Sequence, residues 1–463
     1  MPGGGGLLQL VAQGKQDVFL TGNPQITWFK MVYRRYTNFA IESQQIYFDG
    51  DPDFGKRVTA LVPRRGDLLG PIIMEVVLPY VTMSDGTSGQ YVNAMGYAMI
   101  EEISLEIGEQ EIDKQTGEWM QIWSTLATSV SQIDALNNMV GRVDGLNQPP
   151  TIVSAPSCSV GGYKYGAVKL YVPLQFWFTK NPGVYLPLLA MQYHPIRINM
   201  KIRDLSSLIA NANTADSCST LQPLPTKIVD LRLWGDYVYL DREERRRFVA
   251  NTHEYLIEQI QYTPKVSIPE GVNMLNVRLE FNHPIRELIW IIQRDVMETT
   301  HEWFNFGSTS AYEPGISRDI LQDGTLQLDG YDRFDPRDAG YFRLVQPYQY
   351  HTRTDVKNFI YLYSFALRPE EMQPSGSLNA SRIDNMNLML NFRPDSNEPT
   401  TLNVRVLAAN GSPLLDPTGN PVTRAVPNPA YVPNRGKAHV VVYAKNHNVL
   451  RVVNGFAGLL FKI

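Results

Sequence analysis

The two halves of this chain carry the same landmarks in the same order. Ile41-Glu42 with Gln45-Ile46 is echoed by Ile257-Glu258-Gln259-Ile260. Leu105-Glu-Ile107-Gly108, leading to Ile112-Asp113, is echoed by Leu326-Gln-Leu328-Asp329, leading to Phe334-Asp335. The stretch Ile196 to Arg203 is echoed by Met386, Leu388, Leu390 and Phe392, closing on Arg393. Val238-Tyr239, with Arg247 and Val249 behind, is echoed by Val442-Tyr443, with Arg451 and Val453 behind. A repeat of about 200 residues is far longer than a solenoid unit and marks a duplicated domain. The spacing between partners varies, so strands persist while loops differ.

The repeated segments read as strands. Ile103, Leu105 and Ile107 alternate with Glu102, Ser104 and Glu106. Ile196, Ile198, Met200 and Ile202 alternate with Arg197, Asn199, Lys201 and Arg203, and Leu275, Val277, Leu279 and Phe281 with polar neighbours. Period two buries one face and wets the other, as in an antiparallel sandwich. Charged residues are only 19%, and 34 Gly and 31 Pro favour short strands joined by turns. All-β copies of this size with long loops predict jelly rolls. One stretch breaks the pattern: Trp119, Ile122, Trp123, Leu126, Val130, Ile133 and Val140 keep helical spacing from about Gly117 to Gly141 and predict a helix covering a sheet end. The organisation expected is an arm at residues 1–25, a first jelly roll at 26–240, a helical connector at 241–252 and a second jelly roll at 253–463.

Composition excludes several functions. Formal charge is -4 with no long basic run, so direct nucleic-acid binding is not expected. The densest basic cluster, Arg242, Arg245, Arg246 and Arg247, is interleaved with Asp241, Glu243 and Glu244 and reads as a solvated helix face. Two isolated cysteines, Cys158 and Cys218, fit a reducing compartment, and the sequence leaves open whether they pair. No secretory signal is read at the N-terminus, and the longest apolar runs, such as Leu288 to Ile292, fall far short of a membrane span.

A search for chemistry leaves no catalytic or metal site and no cofactor motif. His253-Glu254 lacks the second histidine of a zinc protease helix, no paired cysteine spacing exists, and Gly3 to Gly6 lacks the Lys-Ser/Thr of a phosphate loop. His194 and His283 each open a His-Pro-Ile-Arg tetrapeptide and read as strand-entry residues. Asp49, Asp51 and Asp53 read as a polar hairpin turn rather than a calcium loop. Asp329, Asp332, Asp335 and Asp338 carry the main rival reading, a carbohydrate-active sandwich, which needs carboxylates converging in one cleft. Asn379-Ala-Ser381 and Asn410-Gly-Ser412 match the glycosylation acceptor pattern and are the candidate glycan sites, although no secretory route is read.

The stretch Leu20-Thr-Gly-Asn-Pro-Gln-Ile-Thr-Trp-Phe-Lys-Met-Val-Tyr-Arg-Arg-Tyr-Thr-Asn-Phe-Ala40 closely resembles the N-terminal signature of major capsid proteins of nucleocytoplasmic large DNA viruses, the group of the chloroviruses, marseilleviruses and iridoviruses. Leu105 to Asp113 resembles that family's Leu-Glu-Ile-Gly-Gly-Gln-x-Ile-Asp segment, with Glu109 in place of the second Gly. His253-Glu-Tyr-Leu-Ile-Glu-Gln259, Phe281-Asn-His-Pro284, Gln373-Pro-Ser-Gly376, Ser381-Arg-Ile-Asp-Asn385, Tyr443-Ala-Lys-Asn446 and Asn448-Val-Leu-Arg451 extend the likeness over nearly the whole chain. The departures are in the loops Thr82 to Ala98, Asn147 to Tyr165 and Pro394 to Gly436.

The resemblance implies two tandem eight-stranded antiparallel jelly rolls with a few short helices in loops, and a structural, non-enzymatic role. It implies a homotrimeric capsomer of pseudo-hexagonal outline that tiles the outer shell of an icosahedral virion assembled in the host cytoplasm. The partners implied are neighbouring capsomers, minor capsid proteins beneath the shell, a penton protein, and an internal membrane that lies near but is not spanned. Within the arm, Leu7, Leu10, Val18, Phe19 and Leu20 would supply apolar assembly contacts. Trp28, Phe29, Tyr33, Arg34 and Arg35 would anchor the arm to the first domain or to a neighbour. The same arm also reads as a strand on its own domain, and Trp28 and Phe29 also read as plain core.

Overall fold

The computed structural model describes residues 36–79, 81, 91–142, 168–209, 226–310, 317–354, 357–393 and 436–461, with the backbone of 401–405 and 423–427. The ten arm residues, from Leu7 to Arg35, lie outside the described residues, as do Cys158, Cys218 and Asn410. Contacts divide the chain into Met1–Phe39 and Ala40–Ile463. Within the first unit the rings of Tyr36 and Phe39 meet edge to face at 6.3 Å.

Among the described residues, the strands that build the two sheets before the connector are β1 (Phe39–Ile46), β2 (Arg57–Leu61), β3 (Leu68–Leu78), β4 (Ile100–Ile107), β5 (Gln110–Thr116), β6 (Val168–Pro173), β7 (Ile196–Ile202) and β8 (Asp230–Leu240). Their counterparts after it are β9 (His253–Tyr262), β10 (Met274–Leu279), β11 (Pro284–Arg294), β12 (Leu321–Leu328), β13 (Tyr331–Asp332), β14 (Tyr361–Ser364), β15 (Met386–Phe392) and β16 (Ala438–Val453). The first set makes the sheets β1-β8-β3-β6 and β2-β7-β4-β5; the second makes β9-β16-β11-β14 and β10-β15-β12-β13. Adding eight to each strand of the first pair of sheets reproduces the second pair. This is the jelly-roll order, twice. Among the described residues no strand before Asp241 pairs with a strand after it. Short extra strands fringe the sheets, among them Phe48–Asp49 on β2 and Phe456–Leu459 on β16.

Alternation places the side chains. On β7, Ile196, Ile198, Met200 and Ile202 are buried and the residues between them half-buried; β15 repeats this with Met386, Leu388, Leu390 and Phe392. The echoed Gly108 and Asp329 end β4 and β12. Gly108 and Glu109 have φ of 55° and 70°, and Asp329 and Gly330 have 47° and 85°. Two consecutive left-handed residues make the tight turn whose twist suits a hairpin. One part of the fourth echo does not hold. Arg451 and Val453 close β16, whereas Arg247 and Val249 lie on a helix.

Short helices fill the loops: α1 (Met95–Ala98), α2 (Gly117–Ala127), α3 (Val130–Val140), α4 (Trp177–Lys180), the connector α5 (Arg242–Ala250), α6 (Asp295–Thr299) and α7 (Gln346–Tyr350). The single helix expected from Gly117 to Gly141 is two. Thr128 and the cap residue Ser129 are extended, with ψ of 129° and 151°, and Val130, expected on the apolar face, is 74% exposed. Ser and Thr side chains compete for local hydrogen bonds and so favour helix ends, here outweighing the apolar spacing across the break. Thr116 caps α2 by accepting from the Trp119 amide at 3.2 Å. Gly117 has no room for a side chain, because a Cβ there would sit 2.2 Å from the Tyr97 carbonyl oxygen and 2.4 Å from that of Ile100. The connector begins at Asp241, whose carboxylate accepts from the Arg242 amide.

Each half has its own core. Leu69, Met74, Val76, Ile103, Leu105, Ile198 and Met200 are central to the first, and Leu288, Trp290, Ile292, Leu326, Leu388 and Val442 to the second. Ile257, Leu450, Val452 and Ala457 belong by sequence to the second half but pack in the first core. The long strand β16 therefore serves both.

Candidate functional site

The described residues present no cluster of metal-binding side chains. Of the carboxylates behind the carbohydrate reading, Asp329 accepts from the Asn385 amide, Asp338 from the Gly340 amide and Asp332 from the Gln327 side chain. Asp53 likewise accepts from the Phe54 and Ile228 amides. His194 and His283 stand just ahead of β7 and β11, as expected. His194 Nδ1 lies 2.8 Å from the Ala457 carbonyl oxygen, and the His283 amide donates to the Ser381 hydroxyl. Asn379 is exposed on a short strand paired with β11.

The unusual chemistry lies where the two sandwiches meet. Helix α2 projects Trp119, Ile122, Trp123 and Leu126 into a third apolar cluster with Ile260, Ile289, Ile291, Leu362, Val441 and Tyr443. The Trp119 ring lies 5.4 Å from that of Tyr443 and 5.8 Å from that of Trp123. This explains why β11 is buried along almost its whole length. Leu288, Trp290 and Ile292 face their own core while Ile289 and Ile291 face α2. Burying each such side chain is worth about 1.5–3 kcal/mol, so the seam is a core in its own right.

Charged groups are threaded through it. Glu258 on β9 is almost fully buried; it accepts from Arg286 on β11 and lies 3.2 Å from the Lys445 ammonium on β16 and 3.9 Å from Lys180 on α4. Burial alone would raise the Glu258 pKa, but Lys445, Lys180 and Arg286 outweigh it and hold it at about 2. Burial pushes Lys445 down to about 8 against the pull of Glu258. Both ammonium groups rest on the Trp123 ring, Lys445 at 3.7 Å and Lys180 at 4.7 Å from its centre. A desolvated cation on an indole face is attracted to the ring quadrupole.

A second stitch joins β9 to β5. Asp113 accepts from the Ile260 amide at 3.1 Å and from Gln115 at 2.7 Å, and Gln259 donates to the Ile112 carbonyl. Burial pushes the Asp113 carboxyl up to about 6. Asn448 in turn donates to Gln259 at 2.9 Å. Buried charges of this kind add little net stability over apolar packing, but breaking one leaves an unpaired charge. They tie β9 to β5, and β9 and β16 to α4 and α2, across the line where the two sandwiches meet. Sequence reasoning placed Trp123 on an apolar helix face and met Glu258, Arg286 and Lys445 only inside longer segments, and it did not join the four as a cluster. The available signal was a lone lysine ending the apolar run Val440-Val441-Val442-Tyr443-Ala444.

Residues 27–241 match the family described as major capsid protein N-terminus, and residues 244–411 match the family described as large eukaryotic DNA virus major capsid protein. The major capsid protein of Phaeocystis pouchetii virus is 35% identical, with 99% of each chain covered. That of Paramecium bursaria Chlorella virus 1 is 34% identical, again over 99% of each. The PBCV-1 virus capsid structure superposes with a TM-score of 0.72 at 31% identity, covering 94% of this chain and 100% of that one. The Faustovirus major capsid protein shares the fold at 12% identity, with a TM-score of 0.69 and 95% and 94% of the two chains covered. A duplicated jelly roll locked by an internal seam, and a likeness that runs from end to end, make this chain a member of the major capsid proteins of large eukaryotic DNA viruses.

Proposed function

We propose that three copies of this chain associate into a capsomer in which six jelly rolls form a pseudo-hexagonal outline, and that capsomers tile the icosahedral outer shell of the virion. The observation that carries this reading is the repeated strand order in one chain, held by a buried seam. Three such chains supply six equivalent sandwiches, a number that packs edge to edge in a flat lattice. Exposed apolar side chains support association: Ile41, Tyr47, Tyr193, Val229, Tyr348, Leu367 and Phe456 each expose more than half their surface. A formal charge of -4 lets like subunits pack side by side without strong repulsion.

In this reading residues 26–240 and 253–463 are the two jelly rolls, 241–252 joins them, and residues 1–25 are an assembly arm. Leu7, Leu10, Val18, Phe19 and Leu20 supply its apolar contacts, and Trp28, Phe29, Tyr33, Arg34 and Arg35 anchor it. The same proposal places minor capsid proteins and an internal membrane beneath the shell, penton proteins at its vertices, and assembly in the host cytoplasm. It assigns the chain no catalysis. Light scattering on the purified chain tests the capsomer: a mass three times the 52.4 kDa of one chain is expected. A single-chain mass at high concentration would overturn it.

A further inference from the structure

The loop between β14 and the short strand Leu378–Asn379 carries Arg368, Pro369, Glu370 and Glu371, and it is tied down by cations buried beneath it. Arg286, with no exposed surface, donates to the carbonyls of Arg368 and Glu371. Lys445, equally buried, donates to the Pro369 carbonyl at 3.2 Å. His351, whose side chain is fully buried after α7, bridges two carboxylates: Nε2 lies 2.8 Å from Glu287 and Nδ1 2.9 Å from Glu370. The Thr352 amide and hydroxyl also donate to Glu370. The His351 ring stands edge-on to Trp123 at 6.0 Å, which sets the loop beside the seam.

Both His351 nitrogens face carboxylate oxygens, so both must donate, and only the imidazolium has two N–H groups. A neutral ring would turn a lone pair toward one carboxylate. We propose that this loop is a latch over the seam between the two sandwiches, held shut by the His351 imidazolium together with Arg286 and Lys445, closed in weak acid and opened in mild alkali.

The surrounding charges support that direction. Glu258 on β9, Arg286 and Glu287 on β11, Lys445 and His447 on β16, Lys180 on α4 and Glu370 on the loop face the cluster, with Asp113 on β5 behind Lys180, while the Arg368 and Glu371 side chains pair with each other at the exposed surface. Burial alone would lower the His351 pKa, but Glu287 and then Glu370 hold it up at about 9. Its contribution is complete below the ordinary histidine range and is lost as pH rises through about 9. Glu287 and Glu370 are held below the usual carboxylate value against their burial, so weak acid leaves them charged. Burial depresses His447 to about 4, so it adds no positive charge beside Arg286 in weak acid. Lys445, depressed to about 8, acts in the opposite sense on global stability: as an amine it still donates to Pro369 while its desolvation penalty is relieved. Local protection of the loop, rather than the melting temperature, is therefore the readout that isolates latch opening.

Hydrogen exchange of the full-length assembled protein, corrected for intrinsic rates, tests this at about pH 5, 7 and 10. Amides of 365–372 should be equally protected at the two lower values and lose protection about tenfold or more at the highest, relative to β7 and β15. His351→Gln should show the open-state rates already at neutral pH, with no further alkaline step. Glu370→Gln, which leaves the β11 side of the bridge intact, should do the same if His351→Gln fails to fold. Unchanged protection at alkaline pH, opening in weak acid, or an alkaline step that persists in the variants would each overturn the latch.

Discussion

The Lys445 ammonium, at the middle of the long strand β16 of the second sandwich, lies 3.7 Å from the centre of the Trp123 ring, on helix α2 of the first. The same ammonium pairs with Glu258 and donates to the Pro369 carbonyl. One side chain thus joins both sandwiches and a surface loop.

Trp123→Ala removes the ring beneath two cations and opens a cavity in the seam. Large-to-small replacement of a buried tryptophan costs about 3–5 kcal/mol, and that loss is expected here in denaturant unfolding. A loss under about 1 kcal/mol would mean that the seam does not bind the sandwiches together.

Glu258→Gln leaves Arg286, Lys445 and Lys180 facing a neutral group, and a loss of about 3–5 kcal/mol is expected at neutral pH. Replacing Glu258 and Lys445 together by methionine should cost less than Glu258→Gln, because the cation nearest to Trp123 leaves with the carboxylate and only Lys180 and Arg286 lose a counter-ion. The carboxylate pKa is held at about 2, so its contribution is present above the ordinary glutamate value and fades only as pH falls toward 2. Urea midpoints for the wild type and Glu258→Gln should therefore converge in strong acid and differ most near neutrality.

Glu109 sits at φ 70° in the β4–β5 turn, where its counterpart in the β12–β13 turn is Gly330 at φ 85°. The left-handed conformation costs a non-glycine residue roughly 1–2 kcal/mol. Glu109→Gly should raise stability by about 1 kcal/mol, and Gly330→Ala should lower it by a similar amount. Thermal unfolding of the pair checks both signs in one experiment.

Deleting residues 1–20 removes Leu7, Leu10, Val18, Phe19 and Leu20 and none of the described sandwich. A folded, soluble trimer that no longer forms shells is expected, read by light scattering and electron microscopy of assembly reactions. Normal particles from the shortened chain would remove the arm from the assembly mechanism.

Much of the fold was legible because it rests on local pattern. Period two marked β4, β7 and β15, and the echoes aligned β1 with β9, β4 with β12, β7 with β15 and β8 with β16. The apolar run Leu288 to Ile292 was visible, but not why both its faces are dry, since α2 arrives from the other half of the chain. The break at Thr128 was masked by apolar residues that happened to keep helical spacing across it. Glu258, Arg286 and Lys445 come from three strands distant in sequence, and no spacing rule connects them. The arm residues lie outside the described residues.

Electron microscopy of the purified, unassembled chain would show whether three two-part subunits make one particle. The account expects a threefold particle whose rim shows six similar lobes, each the size of one sandwich, with each pair of lobes keeping a constant separation from particle to particle. Solitary two-lobed molecules, or particles whose paired lobes vary freely in separation, would contradict it.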